Sequence, residues 1–202
     1  MNVFEAIETR RAVKAFDSDH EMPEETLQKL LSAGRLAPTA FNIQHTRFVV
    51  VKDTELRKKI RAASWDQSQV TDASVLVVIC ADLKAWEKNP ARYWRNAPQP
   101  VQDFMVPTIK QYYETRQNVQ HDEGIRSCGL AAQNLMLAAK ELGYDSCPMD
   151  GFDFDVVGDL INLPDDHVIS MFVTVGKGIK EPNSRSGSIE ESEQIIYDRF
   201  EA

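Results

Sequence analysis

The chain has 202 residues, enough for a sizeable hydrophobic core, and its apolar share of 43% and charged share of 27% exclude fibrous, collagenous and wholly disordered classes. An excess of 31 acidic over 23 basic side chains, net −8, repels polyanions and argues against nucleic acid as a partner. Three widely spaced cysteines without a CxxC, and a Met1–Thr9 start with neither a basic run nor an apolar core, fit a reducing compartment; the expectation is one domain over residues 1–202, cytoplasmic and without membrane contact.

In chain order, Val3 to Glu8 predicts a short helix burying Val3, Phe4 and Ile7, followed by a basic run, Arg10, Arg11 and Lys14. Pro23 fits a first helical position with Glu24 and Glu25 in the first turn, and Leu27, Leu30, Leu31 and Gly34 mark one helical face that ends at Ala37-Pro38. Phe48–Val51 and Val75–Ala81 are continuously apolar, which predicts central strands buried on both faces, with a charged helix over Thr54–Ala63 between them. Leu83 to Pro100, rich in Trp, Asn and Pro, reads as an irregular excursion able to form a lid, followed by a helix over Gln102–Asn118. Ser127–Leu142 is the strongest helix of the chain, small and apolar on nearly all sides, with Gly143 at its C′ position. A short strand at Asp145–Cys147, a helix to Leu163, a strand over Val168–Val175 and an amphipathic tail helix over Ile189–Phe200 complete the pattern. Helices alternating with a few apolar strands indicate an α+β or α/β sandwich around one sheet.

Four segments carry groups that suit a ligand. Arg10, Arg11 and Lys14 suit a phosphate and a neighbouring delocalised anion, although most short basic runs are only solvated surface. Ala37-Pro38-Thr39-Ala40-Phe41-Asn42-Ile43-Gln44 offers a hydroxyl and two amides, and equally reads as a loop whose Thr39 and Asn42 satisfy local backbone. Pro148-Met149-Asp150-Gly151 is a strand-to-helix turn whose N–H groups can face a cavity, or a turn with Asp150 or Asp153 capping the next helix. Lys177 and Arg185 are two further cations, but Gly176-Lys177-Gly178 lacks the rest of a P-loop and there is no GxGxxG. The four histidines are scattered with no HExxH, no GxSxG occurs, and Cys128 lies in an alanine-rich helix, so no metal site and no catalytic side chain is expected. That absence points to a bound cofactor carrying the chemistry.

In this order, the segments Arg10 to Phe16, Ala37 to Phe48, Asp66-Gln67 to Ser74, Ala132 to Gly143, Pro148 to Phe152 and Val175-Gly176 with Arg185 resemble the nitroreductase family of FMN enzymes. The resemblance implies an α+β fold with a central mixed sheet flanked by helices, an interlocked homodimer, FMN at the interface, and NADH or NADPH as electron donor to a small-molecule acceptor, a nitroaromatic, quinone or related electrophile, in ping-pong order. It assigns flavin contacts to Arg10, Arg11, Ala12 and Lys14; to Pro38, Thr39, Ala40, Asn42 and Gln44 from the second subunit; to Asp66, Gln67 and Gln69 at the pyrimidine ring; to Pro148, Met149, Asp150 and Gly151 against the isoalloxazine; and to Arg185 at the phosphate. The chain departs from the family at Ala12, at Asp66 and at Asn183, where family members often carry Lys; Lys177 is the candidate to compensate. Trp86 to Trp94 and Tyr112-Tyr113 are candidates to wall an acceptor pocket. Other readings of the same resemblance are an FMN store without turnover and a specialised relative acting on one metabolite.

Overall fold

Four strands, Thr46–Val51 (β1), Val75–Asp82 (β2), Asp145–Met149 (β3) and His167–Gly176 (β4), form one sheet in the order β1-β2-β4-β3 in the computed structural model, which describes residues 1–200. Every ladder is antiparallel, so the expected mixed sheet is corrected: the parallel pairing is a single bridge between Ala12 and Ser146. All eight residues of β2 are buried, as its apolar run predicts. β1 is a sheet edge with only Val51 buried, not the central strand expected. Its run is apolar because helices cover both faces: Val49 and Val51 face one core layer and Phe48 and Val50 the other.

The first layer packs Thr54–Ala62 (α3), Gln69–Asp72 (α4) and Phe154–Leu160 (α7) on the sheet through Ile60, Val70 and Val157. The second packs Glu24–Arg35 (α2) and Gln117–Glu141 (α6) through Leu27, Leu30, Ala132 and Leu135. A Cβ on Gly34 would lie 2.9 Å from Leu135 Cδ2, so the missing side chain lets α2 approach α6. Gly143 follows α6 with φ +76°, the left-handed position its residue type predicts. α6 starts ten residues before the expected Ser127, because its first part is polar and shows no apolar periodicity.

Val3–Thr9 (α1) forms with an Asn2–Glu5 capping box, but it buries only Ala6; Val3, Phe4 and Ile7, expected inside, are exposed. Gln99–Tyr113 (α5) ends five residues before the expected limit. The tail helix is also corrected: only Glu191–Gln194 (α8) is helical, its side chains exposed, since a segment with no surface to pack on loses most of what stabilises a short helix. A third core, Ile43, Ala85, Trp86, Ile109 and Tyr113, joins the excursion after β2 to α5 and the loop before β1.

Candidate functional site

The basic segment runs along the outer edge of β3. Val13 N–H donates to the Ser146 carbonyl at 3.0 Å and Phe16 bridges Gly178, so Val13 and Phe16 are buried while Ala12 and Lys14 stay exposed. Burial pushes the Cys147 thiol up, and the positive charges of Lys14 and Arg10 oppose it, which places both cations beside β3. Arg11 donates to the Asn183 carbonyl and Arg185 to the Glu8 carbonyl at 3.1 Å, tying the loop after β4 to the same stretch. Arg11 itself lines a cleft of about 600 Å³ with Lys140, Lys180, Glu8 and Glu181. Lys177, the expected substitute for a missing cation, is engaged differently: its ammonium donates to the Gly143 carbonyl at 2.6 Å and sits 4.0 Å from the Tyr144 ring centroid.

Two residues beyond Cys147 the strand ends, and the turn Pro148–Gly151 meets the segment between α3 and α4. Gln67 Nε2 donates to the Gly151 carbonyl at 2.9 Å, and Gln69 Nε2 donates to Gln67 Oε1 at 3.1 Å. The Asp150 carbonyl accepts from Phe152 N–H, while no acceptor among the described residues takes the N–H of Asp150 or Gly151. Asp153, not Asp150, caps α7, its carboxylate accepting from Asp155 and Val156 N–H. Asp66 is directed away: its carboxylate pairs with Arg61 at 2.7 Å and is otherwise exposed, so its charge is neutralised outside the glutamine chain.

Sequence reasoning missed Trp65. Its ring is 77% exposed yet covers Gly151 so closely that a Cβ there would lie 2.5 Å from Trp65 Cζ3. A large aromatic beside a polar run, outside any apolar periodicity, was the available signal. Trp65 and Asp66 both hold positive φ, 52° and 54°. Such backbone is costly for non-glycine residues and concentrates where binding sites need it.

The loop before β1 shows the same feature, with Phe41, Asn42 and Gln44 at φ 52°, 56° and 54°. Thr39 Oγ1 accepts from Gln44 N–H at 2.9 Å, and Asn42 Nδ2 donates to the Tyr93 carbonyl at 2.9 Å. Trp94 Nε1 donates to the Phe41 carbonyl at 3.1 Å, so the aromatic excursion braces this loop. Trp86 and Tyr113, two of the candidates to wall a pocket, are core residues, 4% and 0% exposed. Pro38, Thr39, Ala40, Asn42 and Gln44 sit at the β1 edge, whereas Arg10, Lys14, Gln67 and Pro148–Gly151 sit at the β3 edge. Three strand spacings, about 14 Å, separate the two edges. The two groups of candidate residues therefore lie towards opposite edges of the sheet.

A second feature missed from sequence is the ion network at the end of β2. Asp82, buried, accepts from Arg47 Nη2 at 2.8 Å and Lys88 Nζ at 2.9 Å, and Lys88 also reaches Asp166, which holds His167 at 2.6 Å. Asp82, Asp166 and His167 lie close enough to share a cation, but the ammonium and guanidinium already neutralise both carboxylates. The network anchors the base of the aromatic excursion.

The model of the nitroreductase family matches residues 7–177. The chain belongs to the nitroreductase family. This nitroreductase-family chain is 50% identical over 177 residues to protein DrgA of Synechocystis sp., an alignment covering 88% of the chain and 84% of its relative. It is 33% identical to MhqN of Bacillus subtilis, designated an NAD(P)H nitroreductase, over 85% of the chain and 86% of the relative. Among solved structures it resembles a nitroreductase-designated protein from Exiguobacterium sibiricum, determined in complex with FMN, with a TM-score of 0.90, 25% identity and coverage of 98% and 97%. The family assignment from sequence and the α+β fold built on one helix-flanked sheet both agree with these likenesses.

Proposed function

We propose that this chain is an FMN-dependent NAD(P)H oxidoreductase that works as a homodimer and reduces small electrophiles of the nitroaromatic and quinone type. The observation that carries the reading is the division of one set of binding loops, both on strained backbone, between opposite edges of the sheet. A second copy completes each site by bringing its Pro38–Gln44 loop to the Arg10, Lys14 and Gly151 edge.

The residues at the β3 edge fit the flavin mononucleotide that the related Exiguobacterium protein holds. Arg10, Lys14 and Arg185 supply cations for a phosphate and an anionic ring edge, with Arg11 and Lys177 farther round. Gln67 and Gln69 supply amides, and Asp150 and Gly151 supply N–H donors beside the Trp65 ring that packs over Gly151. FMN, when bound, supplies the hydride chemistry itself. The chain's share is to orient it and to hold positive charge near the pyrimidine edge, where Lys14 favours the anionic reduced form. No side chain at either edge is positioned as an obligatory acid or base, which suits a ping-pong exchange of donor and acceptor at one position.

Titration of flavin-free protein with FMN, followed by steady-state NAD(P)H oxidation at several quinone concentrations, tests the reading. Saturable FMN binding, acceptor-dependent turnover and parallel double-reciprocal lines are expected. FMN binding without turnover would instead identify a store, and intersecting lines would exclude ping-pong order.

A further inference from the structure

An open cleft of about 690 Å³ lies between α2, β1 and the turn at Arg92–Arg95. Four arginines line it, Arg35, Arg47, Arg92 and Arg95, and no Asp or Glu does, in a chain whose acidic side chains outnumber its basic ones. Two of them are fixed: Arg47 by Asp82 and by the Gln44 carbonyl at 2.8 Å, and Arg92 over the Tyr93 ring at 4.7 Å. Arg35 and Arg95 are exposed, and their guanidinium groups make no ion pair or hydrogen bond with any described residue. Such a cleft combines Arg92, held against Tyr93, and Arg47, whose charge Asp82 offsets, with two guanidinium groups that are available, and planar guanidinium forks match phosphate oxygens in pairs. Concentrated positive charge inside a net-negative molecule also draws in anions selectively.

We propose that this cleft receives the phosphate groups of the nicotinamide donor. The inference rests on the oxidoreductase reading above, because Thr39 and Gln44 belong both to the cleft wall and to the loop assigned there to the flavin. A dinucleotide stacked at that loop extends its phosphates away from the reacting ring, and the arginine cleft is the cationic surface next to it. The flavin's own phosphate has cations at the opposite sheet edge, in Arg10 and Arg185, which leaves the cleft's arginines for a different anion. Two sources of phosphate are possible on the donor: the diphosphate shared by NADH and NADPH, and the 2′-phosphate of NADPH alone.

The test compares FMN-loaded wild type with the double variant Arg35→Gln/Arg95→Gln, measuring FMN content, kcat and KM for each donor at saturating quinone, and inhibition by 2′,5′-ADP and 5′-AMP. Loss of two charge-assisted contacts is expected to raise the NADPH KM about 10- to 100-fold with FMN content and kcat preserved. Inhibition by 2′,5′-ADP should weaken in parallel, and Arg35→Lys/Arg95→Lys should recover part of the loss. A rise confined to NADPH assigns the cleft to the 2′-phosphate, and an equal rise for NADH assigns it to the diphosphate. Unchanged KM for both donors in a variant that keeps its FMN overturns the proposal and leaves the oxidoreductase reading standing. Loss of FMN from the variant also overturns it, by giving the cleft to the flavin. Failure of the wild type itself to bind FMN defeats the underlying reading instead.

Discussion

His45 is fully buried one residue after Gln44, its Nδ1 3.3 Å from the Asp82 carbonyl and its ring edge-on to Tyr113. Burial lowers its pKa from the ordinary 6.5, and Arg47 adds to that; the Asp82 carbonyl and the charges of Glu123 and Asp82 oppose it without winning. The folded state thus holds His45 neutral where the unfolded chain begins to protonate it. Stability from this residue is complete above pH 6.5 and declines as the pH falls toward the lower folded value, because the unfolded state then binds more protons. Thermal melts between pH 7.5 and 5.0 should show a falling Tm, and His45→Gln should flatten that slope. An equal slope in the variant would locate the proton uptake elsewhere. Asp166 acts in a different window: its hydrogen bond from Lys88 lowers its pKa below 3.8, so the stability it contributes disappears only in more acidic solution.

At the scale of elements, two positions bear on how the site's supports are held. Gly176 ends β4, and a Cβ there would lie 2.9 Å from Phe16 Cδ1 and 3.0 Å from the Ser74 backbone nitrogen. The Phe16 ring is buried in the core with little room to turn aside, and the Ser74 backbone must also shift, so Gly176→Ala is expected to cost about 1–3 kcal/mol, with Tm falling about 2–4 °C per kcal/mol. Asp153→Ala removes a cap that serves two N–H groups of α7 and should cost about 1 kcal/mol in denaturant melts. An unchanged midpoint would mean that solvent replaces the cap. The same elements show what was legible in the sequence. α2 was readable because its apolar residues sit at the helical period, and β2, β4 and the alanine-rich half of α6 because their runs are apolar almost throughout, as elements buried on nearly all sides require. The polar half of α6 and the non-helical tail were not, since nothing local in their side chains distinguishes helix from loop. Of the site, the basic segment, the Pro38–Gln44 loop and the Gly151 turn acquired meaning only in combination. Trp65 over Gly151, and Arg47 on Asp82, are contacts across 86 and 35 positions that no local pattern encodes.

At the scale of the whole molecule, α1 leaves Val3, Phe4 and Ile7 exposed by 68%, 77% and 46%, and Leu130 on α6 is 43% exposed. Isolated apolar residues on a surface need no explanation, but three on one short helix that packs against α6 form a patch that a soluble chain rarely leaves wet. In the homodimer proposed above, that patch is a surface available for burial between the two copies. Dimerisation and FMN binding are then thermodynamically linked, and a change that weakens one must weaken the other. Leu130→Glu places a charge on the α6 surface while leaving the protomer core, which that side chain does not enter, intact. Sedimentation velocity should show wild type as a dimer at micromolar concentration and the variant shifted to monomer, with FMN affinity reduced at least about tenfold in the same samples. Circular dichroism at helix wavelengths should be unchanged, which separates dissociation from unfolding. A monomeric variant that binds FMN as tightly as wild type would show that a single sheet edge suffices, and would remove the need for a second copy at the site.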